Sequence, residues 1–141
     1  MIAATPLPRQ SSSWQHELAH TITDPDELCT LLGIDTALAA PARAAGRQFR
    51  LRVPRGFVRR MRRCDPDDPL LRQVLPAAAE LDSAAGYSAD PLAEGAARRA
   101  PGLLQKYRGR ALLMLTGACG VHCRYCFRRE YPYAEDASAG V

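Results

Sequence analysis

The sequence predicts an α/β chain: a mainly helical N-terminal region, then a strand, then a loop rich in cysteine. Three observations predict it. Helix start and stop signals punctuate the first half. A continuous apolar run of strand length, Ala111-Leu112-Leu113-Met114-Leu115-Thr116, lies between Arg110 and Gly117. Three of the five cysteines fall within eight residues directly after that run. Strand followed by reactive loop is the order found in barrels of alternating strands and helices, where active sites sit on loops at strand C-terminal ends.

Read in order, residues 1–13 form a flexible arm with two prolines and the run Ser11-Ser12-Ser13. A helix starts near Trp14. Asp24-Pro25-Asp26-Glu27 is a second start: Asp24 caps, Pro25 suits the first helical position, and Glu27 completes a capping box. Leu28, Leu31 and Leu32 follow at helical spacing, and Gly33 closes the helix. Residues 36–48 are alanine-rich and fit a short helix or a linker. Phe49-Arg50-Leu51-Arg52-Val53 alternates apolar and basic residues, as a short strand or extended segment does, and Pro54 ends it. Gly56 to Arg63 is a further short helix. Asp68-Pro69 opens another, with Leu70, Leu71, Val74 and Leu75 as its apolar side. Residues 83–102, rich in Gly, Pro and Ser, read as a connecting stretch.

The run 111–116 reads as a fully buried parallel strand. Parallel neighbours need crossovers of a dozen or more residues, and no such neighbour follows in the sequence. The chain is therefore expected to be the N-terminal part of something longer, in three parts: the arm 1–13, a mainly helical region 14–105, and the start of a second domain at 106–141.

At 141 residues the chain fits one domain by size, with 47% hydrophobic and 24% charged residues. No apolar run is long enough to span a membrane, and the N-terminus lacks the basic start and apolar core of a secretory signal. A cytoplasmic location is expected. The net charge is +4, and eighteen of the nineteen basic residues are Arg, with Lys106 the single lysine. The arginines are interspersed with acids rather than gathered in a block, which argues for a solvated surface over a nucleic-acid patch.

The cysteines read Cys119-Gly120-Val121-His122-Cys123-Arg124-Tyr125-Cys126, a C-x3-C-x2-C spacing. Three thiolates this close can wrap one four-iron, four-sulfur cube and leave one iron without a protein ligand. That open corner suits S-adenosylmethionine, which binds through its amino and carboxylate groups and is cleaved by an electron from the cluster. A zinc knuckle is the bland alternative. Zinc wants four protein ligands, and His122, next to Cys123, is a strained fourth. His16-Glu17-Leu18-Ala19-His20 matches the H-E-x-x-H zinc pattern, but no third ligand follows, so an exposed histidine pair on an amphipathic helix is expected. Cys29 and Cys64 are expected to pack as small apolar residues or to sit inert near the surface.

The stretch from Pro101 through Lys106-Tyr107-Arg108-Gly109-Arg110 and the cysteines to Arg129, with Tyr131-Pro132-Tyr133-Ala134-Glu135, resembles the lysine 2,3-aminomutase family of the radical S-adenosylmethionine (radical SAM) superfamily. Thr23-Asp24-Pro25-Asp26-Glu27-Leu28, Leu51-Arg52-Val53-Pro54-Arg55 and Asp67-Asp68-Pro69-Leu70-Leu71-Arg72-Gln73-Val74-Leu75 extend the resemblance to about residues 14–136. It is greatest to the branch of that family acting in beta-lysylation of elongation factor P. The resemblance implies the N-terminal helical region, first strand and cluster loop of a truncated, partial TIM-like radical SAM barrel. It implies an isomerase that moves the amino group of lysine from the alpha to the beta carbon, using a [4Fe-4S] cluster, S-adenosyl-L-methionine and pyridoxal 5'-phosphate. Implied partners are the lysine substrate, elongation factor P and its lysine ligase. Cys119, Cys123 and Cys126 match the cluster ligands; Lys106, Tyr107 and Arg110 match contacts near pyridoxal phosphate; Arg128 matches the holder of the substrate carboxylate. The family's Schiff-base lysine and S-adenosylmethionine glycine motif lie downstream of the matched stretch. This chain alone is therefore expected to be inactive.

Overall fold

In the computed structural model, residues 13–83 and 85–131 are described. The expected arm falls almost wholly outside them, as does the Pro132–Glu135 part of the resemblance.

Helix α1, Trp14–Ala19, begins where Ser13 accepts a hydrogen bond from the His16 N–H. Helix α2, Pro25–Leu32, has the expected ends: Asp24 caps the Asp26 N–H, and Gly33 takes a left-handed φ of 67° that lets it bond back to Cys29 and Thr30 carbonyls. The expected capping box does not form, because the Glu27 carboxylate pairs instead with Arg55. The alanine-rich segment folds as a 3-10 turn and helix α3, Ala39–Ala45, with Ala39, Ala42 and Ala45 buried. Small side chains at that spacing let α3 approach α2 closely. Residues 49–53 run extended, and Val53 exchanges two backbone hydrogen bonds with Ile22. Helix α4, Arg55–Val58, follows.

The segment after Asp68 forms successive turns rather than the expected helix. Asp68 accepts bonds from the Arg62, Leu70 and Leu71 N–H groups and so ties the turns to the chain behind them. Its burial raises the carboxyl's proton affinity, but those three N–H groups and the Arg62 guanidinium more than offset this, leaving it below the ordinary range.

These pieces share one core: Ile22, Leu28, Cys29, Leu32, Ile34, Ala39, Leu51, Val53, Val58, Met61, Leu71 and Val74. Each element is too short to be stable alone, and their joint burial of apolar area holds them.

The stretch expected to be a connection contains helix α5, Glu94–Ala97, and strand β1, Arg98–Ala100. Strands β2, Leu103–Tyr107, and β3, Arg110–Leu113, complete an antiparallel sheet in the order β1-β2-β3. This corrects the buried parallel strand expected at 111–116. Tyr107 pairs with Arg110 across a two-residue turn, Arg108-Gly109, in which Gly109 has a φ of 76°. So tight a reversal makes the neighbour antiparallel. Leu112 and Leu113 are more than half exposed and Leu115 is 70% exposed. The apolar run thus marks strand-forming propensity, with only Met114 buried among its large side chains.

Candidate functional site

The cysteine loop, residues 117–126, leaves the sheet after β3 and returns to the helical region. It is seated there by backbone contacts. The His122 N–H donates to the Arg52 carbonyl at 2.9 Å and the Arg124 N–H to the Gln73 carbonyl at 2.8 Å. Val121 packs against the core, and a Cβ on Gly120 would stand 3.0 Å from the Leu18 side chain, so the loop also lies close on α1. Past Cys126, a 3-10 turn runs over Phe127–Arg129.

Cys119, Cys123 and Cys126 are free thiols and half-buried. The Cys126 N–H donates to the Cys123 carbonyl at 3.1 Å, which folds the second half of the loop into a tight turn. Burial pushes the Cys119 thiol up. A hydrogen bond from Arg128, the Val121 and Gly120 N–H groups and the Arg128 charge outweigh this, so Cys119 ionises below its ordinary value. Among the described residues, no three His, Cys, Asp or Glu side chains are gathered closely enough to hold a metal ion. The donor chemistry nonetheless fits an iron–sulfur cluster: three free thiols on one short loop, one of them ionising more readily than an ordinary thiol.

Arg128, expected at a substrate carboxylate, lies against the Cys119 sulfur. Lys106, Tyr107 and Arg110 come together at the β2–β3 turn. Their cavity, about 260 Å³, also draws on Glu94, Ala97, Leu104, Ala111 and Leu112. The Arg110 guanidinium sits 5.2 Å from the Tyr107 ring centre. Lys106 donates to the Leu92 carbonyl.

The zinc alternatives find little support in the geometry. The His122 ring stacks on Phe49 with centres 4.7 Å apart, and its Nδ1 lies 3.0 Å from the Arg50 carbonyl, so one ring nitrogen is already engaged. Burial, and then the nearby Arg52, Arg128 and Arg50 charges, hold His122 toward its neutral form despite the Arg50 carbonyl. In the H-E-x-x-H segment the two histidines are exposed, as expected, with rings stacked 4.1 Å apart. Glu17 is a structural tie, accepting from the Gly56 N–H at 3.0 Å and pairing with Arg59. Cys29 is fully buried in the core, packed as a small apolar residue, and Cys64 is exposed at the surface.

Sequence reading missed Glu80. Its carboxylate accepts two bonds from the Arg124 guanidinium and one from Arg129. Arg124 also donates to the Phe49 carbonyl at 2.8 Å, and Arg129 donates to the Gln48 side chain at 3.1 Å. The one available signal was indirect. Three arginines in Cys-Arg-Tyr-Cys-Phe-Arg-Arg need counter-charge, but nothing local singles out Glu80 among the acids.

The described chain thus combines a helical layer, a hairpin sheet and a loop that carries three free thiols. Comparison with known proteins makes the relationship specific. The chain is 54% identical over 124 residues to the L-lysine 2,3-aminomutase of Escherichia coli K12, a match covering 87% of this chain and 36% of that protein. It is 40% identical over 131 residues to the L-lysine 2,3-aminomutase of Haemophilus influenzae, covering 93% of this chain and 39% of that one. The enzyme of the same name from Clostridium subterminale matches at 42% over 74 residues, 52% of this chain and 18% of that protein. No family model matches the chain. The chain is homologous to the lysine 2,3-aminomutases across most of its own length, and it spans a little over a third of the length of the first two relatives.

Proposed function

We propose that this chain carries the cluster-binding segment of a radical SAM enzyme of the lysine 2,3-aminomutase type. Three free thiols at C-x3-C-x2-C spacing, in a chain so related to those isomerases, carry the reading. Cys119, Cys123 and Cys126 would hold three irons of a [4Fe-4S] cluster, and the fourth iron would take S-adenosyl-L-methionine. When bound, that pair supplies the radical that starts migration of an amino group from the alpha to the beta carbon of lysine. Arg128, beside Cys119, suits an anionic group near the cluster. Lys106, Tyr107 and Arg110 gather two cations and a phenol at one turn, a set suited to the phosphate of pyridoxal 5'-phosphate. Residues from Lys106 onward would begin the catalytic domain, with 14–105 as its helical support.

The same reading extends to the cellular role: a cytoplasmic enzyme making beta-lysine for elongation factor P, with its lysine ligase as next partner. The branch-like run from Cys123 to Arg129 supports that choice. Among the described residues, no helix is long and apolar enough to cross a membrane.

The test is anaerobic reconstitution with iron and sulfide, followed by electron paramagnetic resonance of the reduced chain. The expected result is a cluster signal that changes on adding S-adenosyl-L-methionine. A signal indifferent to S-adenosyl-L-methionine would leave a non-catalytic iron–sulfur module, and zinc held by four ligands would leave a zinc module.

A further inference from the structure

The arginines of the cysteine loop divide into two kinds. Arg128 lies against Cys119, whereas Arg124 and Arg129 turn to the helical region and meet on one carboxylate, Glu80. We propose that Glu80 is the positioning residue for the second half of the loop, acting through Arg124 to set the ligand cysteines on either side of it. The inference rests on the cluster reading for what those cysteines hold.

The geometry is that of a clamp. Arg124 sits between Cys123 and Cys126, so fixing its guanidinium fixes the short turn carrying both sulfurs. Its Nε donates to Glu80 Oε1 at 3.0 Å and its Nη2 to Oε2 at 2.5 Å, the two-pronged pairing a guanidinium favours. Arg129 Nη1 reaches Oε2 at 2.7 Å, and its Nη2 reaches the Glu80 carbonyl at 2.8 Å. Glu80 is itself held, since its Oε1 accepts from the Ala77 N–H at 2.9 Å. The three side chains are 8–16% exposed, so water screens them little. The remaining Arg124 nitrogen is taken by the Phe49 carbonyl, and its guanidinium carbon lies 5.3 Å from the Phe49 ring centre. Phe49 stacks on His122 as well, so one aromatic ring spans Cys123 from both sides in sequence. Apart from the Ala77 bond, these contacts link residues 44 to 75 apart, so they serve loop placement rather than any local turn.

The test compares the full chain with Glu80→Gln, which keeps the shape and removes the charge. In the iron-free chain, amide exchange at His122 and Arg124 should quicken about tenfold while exchange at Ile22 and Val53 in the core stays unchanged. In reconstituted chains, a chelator should strip iron from the variant several-fold faster, and the paramagnetic line shape should broaden. Unchanged loop exchange overturns the proposal. So does faster exchange with unchanged iron release and line shape, which would make Glu80 a structural tie alone. If Glu80→Gln fails to fold, shown by alkylation of the buried Cys29, then Arg124→Gln, which breaks the same pair from the loop side and leaves Glu80 with Arg129, gives the same readouts. Wild-type chain that takes up no cluster would sink the cluster reading, and the iron-free exchange comparison would still judge the clamp.

Discussion

The helical region and the hairpin sheet carry apolar side chains in similar plenty and use them differently. In the first, Ile22, Leu28, Leu51, Val53, Leu71 and Val74 are all but fully buried. In the second, Leu112 and Leu113 stand more than half exposed on a sheet held by backbone bonds, and Leu115 just past it is more exposed still. The stability of the described chain therefore lies in the helical region. The cysteine loop bridges the two: it leaves the sheet but is anchored to the helical side through Val121, His122 and Arg124. The loop that carries Cys119, Cys123 and Cys126 is thereby fixed to the firmer partner.

Substitutions can break this contrast. Leu28→Ala opens a cavity in the core and should cost about 2–5 kcal/mol of unfolding free energy, read from denaturant titration. Asp24→Ala removes the cap of α2 and should cost about 1 kcal/mol in the same assay. Leu112→Ala, on the exposed strand, should change it by less than about 0.5 kcal/mol. A Leu112 effect as large as that of Leu28 would mean that the sheet is buried in solution and would erase the distinction.

Acidity sharpens the comparison at the anchor. Burial raises the Glu80 carboxyl, but the Arg124 bond, the Ala77 N–H and the Arg124 and Arg129 charges bring it below its ordinary value. A carboxyl lowered in the folded state stabilises above its unfolded pKa, and that contribution is lost as pH falls through the folded value. Protection of the Arg124 amide, corrected for intrinsic exchange, should therefore be flat near neutrality and decline below about pH 4. In Glu80→Gln the acid-dependent part of that decline should vanish.

What the sequence disclosed follows the range of the interactions involved. The ends of α2 were legible because Asp24, Pro25 and Gly33 act on backbone within a few residues of themselves. The placing of the three cysteines on one short loop was legible because their spacing is local. The capping box at Glu27 failed because a distant partner, Arg55, took the carboxylate. The run 111–116 was misread because hydrophobicity without periodicity does not reveal which neighbour a strand finds, and the Arg108-Gly109 turn supplied an antiparallel one. Glu80 was invisible because its meaning depends on arginines far along the chain.

The central claim is that Cys119, Cys123 and Cys126 together hold one iron–sulfur cluster. Its most direct test is elemental analysis of the anaerobically reconstituted chain beside its three single Cys→Ala variants. The account predicts about four irons and four sulfides per wild-type chain, with marked loss in each of the three variants and none in Cys64→Ala. Zinc in place of iron, or iron retained in Cys123→Ala at the wild-type level, would contradict it.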